Sequence, residues 1–473
     1  MKLNRLSNRN TYHMKIQVKN LGAIKEGEVD LSQKFIVFCG PNGTGKTYLS
    51  YVIYALLKKK LHIQGKQKFA EKLINEKKTS LEIDFEKLFQ YRNQMLSSTQ
   101  SNVDELFGIG ESDSRKLFKD FQCGFAVSDE EFKEKLIATK IESIVKIQGV
   151  QIKMDKDVGK SQIIISILND SIANDSIRGF TFYLDSYIYS VLATYPIGNV
   201  EMFTVERNSI YTFNKELSVR KQEALDNVLL LMDKEKKIDR FDLYFRNNYK
   251  YPLPIRIGLE TADNLVEIKK KDGQFYQFSS FMEENLLHGK VQVSNDGEIQ
   301  FRPSKCTRTT LPIQMTASIV KTLSSMDLYL KHIATINDLI IIDEPEINLH
   351  PDNQILVARM LVRLMNSGFR IILSTHSDYI IREINNMVMM SRKEENVVKK
   401  LLSEGIYSEN DYINPQDLGV YYFNYPSLRS KHVKVEKLKV EDSGFSVKSI
   451  DTTIESQNKI AEDLYYGIKY GYK

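Results

Sequence analysis

Cysteine is scarce: Cys39, Cys123 and Cys306 are the only three in 473 residues, and none belongs to a Cys-x-x-Cys pair. That excludes a disulfide framework and a cysteine-built zinc site, and it fits a reducing compartment. Long apolar runs are lacking too. The block Leu339–Ile342 is the length of one buried strand, far short of the roughly 20 residues that span a bilayer. The basic start, residues 1–15, has no apolar core and does not read as a secretory signal. Residues 1–13 read as a loose arm before Met14. The expected setting is cytoplasmic, with no membrane partner. Charge of one sign is also lacking, since 66 Lys and Arg stand against 61 Asp and Glu. Such a balance allows local basic patches for nucleic acid without demanding them. No long heptad series, no internal repeat and no Ser/His/Asp or Cys/His hydrolase arrangement is visible. The chain is too long for one ordinary core, and two or three lobes are expected.

What is present is phosphate chemistry. Residues 40–47 read Gly-Pro-Asn-Gly-Thr-Gly-Lys-Thr, a complete Walker A loop. An apolar run, Phe35–Cys39, precedes it and a helix-like stretch, Thr47–Lys60, follows, the strand–loop–helix setting that the motif needs. Gly40, Gly43 and Gly45 let backbone N–H groups turn inward without Cβ clashes. Pro41, Asn42 and Thr44 complete the loop. Lys46 would reach the β- and γ-phosphates of ATP, and the Thr47 hydroxyl would ligate Mg²⁺.

The second half of such a site is Asp338-Leu-Ile-Ile-Ile-Asp343-Glu344. Its continuous apolar run suits a parallel strand covered on both faces. Asp343 would hold Mg²⁺ through water, and Glu344 would polarise the attacking water as general base. Past a helix over 352–365, a β-branched strand, Arg370–Leu373, ends in Ser374-Thr375-His376-Ser377. There His376 can reach the γ-phosphate. His350, just before Pro351, reads as structural at the start of that helix.

The segment Pro345-Glu346-Ile347-Asn348-Leu349-His350-Pro351, together with Ser-Thr-His-Ser, resembles the ABC-type ATPases of the OLD, RecF and SMC kind. Within that group the chain most resembles stand-alone OLD-like ATPases of bacterial anti-phage defence, over about 14–60 and 199–385. The resemblance implies an α/β fold: an ABC-type P-loop ATPase head with a mixed β-sheet, a large α+β insertion and a small C-terminal lobe. From composition and pattern along the chain, 1–60 and 199–390 form the head, 61–198 the insertion and 391–473 the C-terminal lobe. The resemblance also implies a homodimer with ATP sandwiched between the two copies. Thr316-Ala317-Ser318-Ile319-Val320-Lys321, opening a helix through Ile333, is the candidate signature, with Ser318 meeting the γ-phosphate of the partner's ATP. The usual glycines are missing, and the same residues also read as an ordinary N-cap. Thr204-Val205-Glu206-Arg207 resembles a Pro-Ala-Glu-Arg segment of these proteins. Arg207 could contact phosphate or the lid and Glu206 lie near the metal, or the segment could hold a structural ion pair. No glutamine can be assigned as a Q-loop residue.

OLD nucleases continue into a metal-dependent nuclease domain with clustered acids. Here Asp411, Asp417, Glu436, Glu441 and Asp442 are scattered and read as solvated surface. The expected function is therefore an ATPase switch that holds or releases a separate effector, a toxin or nuclease. The alternative is a DNA-binding repair or end-sensing ATPase, with Lys58-Lys59-Lys60, Lys66, Lys68 and Lys269-Lys270-Lys271 as phosphate contacts. Short strands are expected within 15–31, 137–167, 199–205 and 274–301, a charged helix over 218–247, then a meander at 420–423 and 433–440 and a helix near 454–466.

Overall fold

A computed structural model describes residues 14–471, apart from 59, 64–66, 170–173, 214–250, 272, 306–308 and 428. The expected arm over 1–13, the charged helix over 218–247, Lys59, Lys66 and Cys306 lie outside the described residues.

Among the described residues sixteen strands are named in chain order. They are β1 (Lys15–Leu21), β2 (Ile24–Asp30), β3 (Phe35–Cys39), β4 (Lys78–Glu82), β5 (Gln122–Phe125), β6 (Ile141–Ile147), β7 (Val150–Lys156) and β8 (Gln162–Ile167). Then follow β9 (Val200–Phe203), β10 (Gly289–Val293), β11 (Ile299–Pro303), β12 (Leu311–Pro312), β13 (Leu339–Asp343), β14 (Arg370–Ser374), β15 (Leu418–Asn424) and β16 (Val433–Leu438). The main sheet has nine strands in the order β5-β1-β2-β16-β15-β3-β14-β13-β9. From β15 to β9 every neighbour is parallel. The β1–β2, β1–β5 and β15–β16 pairs are antiparallel. The fold is thus a mixed α/β sheet with a parallel centre.

The central strands are apolar throughout because both of their faces are covered. Residues β3, β13 and β14 are buried end to end. Their side chains alternate between two cores, as the period of a strand requires. Ile36, Phe38, Leu339, Ile341 and Ile372 enter the core that holds the helix Lys46–Lys58. Phe35, Val37, Ile340, Ile342, Ile371 and Leu373 enter the core shared with the helices Pro351–Asn366 and Asp378–Met389. Being parallel, these strands all end at one edge, where open α/β sheets bind ligands.

Two expected boundaries give way. Residues 391–473 do not fold as a separate lobe. Their strands β15 and β16 fill the middle of the sheet, between β3 and β2. The reason is apolar content: Leu418 to Phe423 is buried without a break and needs cover on both faces. Nor is 61–198 a detached insertion. It lends β5 to the sheet edge, and its own sheet, β4-β8-β7-β6, shares the first core. The expected strands from Gln274 are in part helix. Tyr276–Met282 is α-helical and runs into a π turn, Glu283–Leu287. Apolar side chains at helical spacing, Phe275, Met282 and Leu286, outweigh the strand-like composition. The hairpin β10–β11 does form, around a left-handed Gly297. The last helix, Lys448–Tyr470, is longer than expected and buries none of its residues. Among the described residues no helix is long and apolar enough to cross a membrane.

Candidate nucleotide site

The loop Gly40–Gly45 sits at the C-terminal edge of the parallel strands, between β3 and the helix Lys46–Lys58. Gly40, Gly43 and Gly45 have φ of +130°, +72° and +91°. At Gly40 a Cβ would also stand 2.2 Å from the Phe423 carbonyl oxygen on β15, so both conformation and space require glycine. Among the described residues, no backbone N–H from Asn42 to Thr47 donates to a protein acceptor. Such a cradle of free donors at a helix N-terminus fits a polyphosphate.

Lys46 is buried, and its Nζ donates to the Gly40 and Pro41 carbonyls at 3.0 and 2.9 Å. Burial lowers its pKa, and the carboxylates of Asp343 and Glu344 oppose that shift. The Thr44 hydroxyl closes the loop by donating to the Pro41 carbonyl at 2.8 Å.

Two neighbouring strand ends bring in the acids. Asp343 closes β13 and pairs in register with Ser374 on β14. The Thr47 hydroxyl donates to Asp343 Oδ2 at 2.8 Å, and the Ser374 hydroxyl donates to Asp343 Oδ1. One hydroxyl from the Walker A helix and one carboxylate from the neighbouring strand end therefore meet, the hard oxygen donors that Mg²⁺ takes beside substrate phosphates and water. Among the described residues no three His, Cys, Asp or Glu side chains converge as a protein-only metal site would require.

Glu344 turns the chain with φ of +49°, and its N–H donates to the Ser374 carbonyl at 3.0 Å. Burial, and then the charge of Asp343, push its carboxyl above the usual range. His376 Nε2 lies 3.9 Å from Glu344 Oε1. Burial and the Lys46 charge lower the His376 pKa to about 4, so the ring is neutral at pH 7.

Arg207 is placed differently from the expectation. It is buried, and its Nη1 donates to the Thr204 and Asp343 carbonyls at 2.9 and 2.8 Å. Its Nη2 donates to the Glu344 carbonyl at 2.8 Å. The guanidinium fork is used on main-chain oxygens of the Asp343–Glu344 turn and makes no ion pair with Glu206, which is exposed. Burial lowers its pKa to about 10, still charged at neutral pH. Ser318 lies outside this cluster. It is the exposed first residue of the helix Ser318–His332, whose N-cap is Ala317 with no side-chain cap. Ser318 is thus not itself the N-cap. His350 caps the next helix as expected of a structural residue, with Asp352 N–H 3.5 Å from its Nδ1.

Sequence reasoning missed Ser374 as a partner of Asp343, though the parallel order of β13 and β14 would have found it. It also missed that Glu346 holds Thr375 and His376. Four lysines of the basic clusters are engaged within the fold. Lys58 pairs with Glu201 at 3.2 Å, Lys60 lies over the Tyr187 ring, Lys270 pairs with Glu267, and Lys269 donates to the Ser294 carbonyl at 2.8 Å. Asp411, read as surface, is fully buried and forked by Arg363.

Residues 14–381 match the family described as AAA ATPase domain (AAA_15), and the chain belongs to that family. No curated protein matches it. Solved structures of SMC heads resemble it loosely. One, described as an SMC head bound to the C-winged helix domain of ScpA, is 12% identical with a TM-score of 0.34, covering 91% of this chain and 99% of its own. The SMC head domain from Thermotoga maritima is 10% identical with a TM-score of 0.31, covering 90% and 99%. A third, an SMC head with an extended coiled coil bound to the C-terminal domain of ScpA, from Pyrococcus furiosus, is 14% identical with a TM-score of 0.33, covering 96% and 99%.

Proposed function

We propose that this chain is an ABC-type ATPase head of the SMC and RecF kind that binds and hydrolyses Mg·ATP. The observation that carries this reading is the Thr47–Asp343 bond, which joins the Walker A helix to the Walker B strand end beside the buried Lys46. Magnesium, when bound, neutralises phosphate charge, and the Thr47 hydroxyl and Asp343 carboxylate are the groups that would hold it. Lys46 supplies positive charge to the phosphates, and the free loop N–H groups orient them. Glu344, its pKa raised, is a stronger base than an exposed glutamate and takes the proton of the attacking water. The neutral His376 gives a hydrogen-bonding partner at the terminal phosphate without adding charge. Arg207 keeps the Glu344 turn in place.

The same reading has two copies close around the nucleotide. The uncapped start of the helix Ser318–His332 would then present its N–H groups, and Ser318, to the other copy's ATP. The resemblance of residues 345–351 and 374–377 to OLD-like ATPases supports a role in anti-phage defence, as a sensor that holds or releases a separate toxin or nuclease. Glu344→Gln should trap an ATP-bound dimer, read by light scattering at micromolar protein. A variant that stays monomeric with saturating ATP removes the sandwich from this proposal.

A further inference from the structure

Two residues past Glu344, Glu346 is half-buried, with its carboxyl turned into the protein. Its Oε1 accepts from the Thr375 hydroxyl at 2.9 Å and from the His376 backbone N–H at 2.7 Å. Its Oε2 is buried and has no hydrogen-bond partner among the described residues. Burial raises the pKa of Glu346. Enclosing a carboxyl with one oxygen unpaired costs stability, so its placement calls for another explanation.

The surrounding bonds supply one. Residues 374–377 are pinned in order. The Ser374 hydroxyl and carbonyl engage Asp343 and the Glu344 N–H, respectively. Thr375 and His376 are both held by Glu346. The Ser377 hydroxyl donates to Gln354 Oε1 at 2.6 Å, on the helix Pro351–Asn366. Thr375 N–H also donates to the Phe38 carbonyl at 3.0 Å, which ties the segment back to β3. Glu346 is the only one of these anchors that grips the main chain of residue 376 itself.

We propose that Glu346 is a positioning residue, which fixes the His376 main chain so that the imidazole faces Glu344. This rests on the reading of Glu344 and His376 as the hydrolytic pair. Glu346 acts through the backbone of residue 376, which its Oε1 holds. A carboxylate that links the turn after β13 to the segment after β14 makes the two move as one body.

The test uses the full chain with Glu346→Ala, Glu346→Gln, His376→Ala and the Glu346→Ala/His376→Ala double variant. Hydrogen exchange is measured alongside turnover. Glu346→Ala should speed amide exchange over 374–377 while leaving the helix Lys46–Lys58 unchanged. Its kcat should fall about 10- to 100-fold, the range for partners that orient a site residue, with ATP affinity within about 3-fold. Glu346→Gln keeps an oxygen that accepts both bonds and should recover most of the loss. In the His376→Ala background the further loss should be under about 3-fold, because coupled residues are non-additive. Unchanged exchange over 374–377, or an equal further loss in that background, overturns the proposal. If Glu346→Ala does not fold, Thr375→Val removes one of the two bonds and should loosen the same segment to a smaller degree. A wild type without turnover removes the ATPase reading instead, and the exchange contrast between Ala and Gln at 346 still decides whether Glu346 holds His376.

Discussion

At the scale of single residues, the site is organised by side chains that bind backbone as much as by those that face a ligand. Arg207 satisfies the carbonyls of Asp343 and Glu344 at 2.8 Å each. Lysine at that position keeps the charge but not the planar fork. Arg207→Lys should therefore lower kcat roughly tenfold or more while leaving ATP affinity near wild type. Equal losses in kcat and affinity would place Arg207 on the nucleotide instead. Asp411 offers a stability test. Burial pushes its pKa up, but the Arg363 fork and the Ser408 bonds outweigh that and hold it below its ordinary value. A group whose folded pKa is depressed stabilises the fold above its unfolded pKa and loses that contribution as pH falls through the folded value. Asp411→Asn should cost about 3 kcal/mol at pH 7, with the gap to wild type closing below about pH 4 in unfolding experiments.

At the scale of elements, the Walker A loop depends on β15. A Cβ at residue 40 would meet the Phe423 carbonyl, a backbone atom that cannot rotate away. Gly40→Ala should abolish nucleotide binding and lower the melting temperature, whereas Gly43 has open space around its Cα and is constrained by φ alone. The motifs themselves were legible: glycine spacing, the apolar run before Asp343 and the β-branched run before Ser374 each name a strand and its end. Less legible was what those ends hold. The resemblance of Thr204–Arg207 to a Pro-Ala-Glu-Arg segment offers Arg207 as a phosphate contact, and only the fold shows that its donors meet carbonyls. Glu346 looked like one acid of a familiar segment because its partners, Thr375 and His376, lie about 30 residues away in sequence.

At the scale of the whole molecule, the lobes assigned from composition proved to share one sheet. Periodicity names β15 and β16 as strands, yet it cannot say that they slot between β3 and β2, since pairing partners lie hundreds of residues apart. Asp30 N–H donates to the Tyr421 hydroxyl at 2.8 Å across that junction. The family match ends at residue 381, before these strands. A chain stopped at residue 390 should nevertheless fail to fold, because β3 would lose one of its two parallel neighbours and the first core would lose Tyr421 and Phe423. Soluble, cooperatively melting protein from that truncation would show that the sheet closes without them. The measurement that bears most directly on the whole account is phosphate release from Mg·ATP by the purified chain, beside Lys46→Ala and Glu344→Gln. The account predicts slow, magnesium-dependent release by the wild type, no ATP binding by Lys46→Ala, and binding without release by Glu344→Gln. Release that survives both substitutions would place the chemistry elsewhere and contradict it.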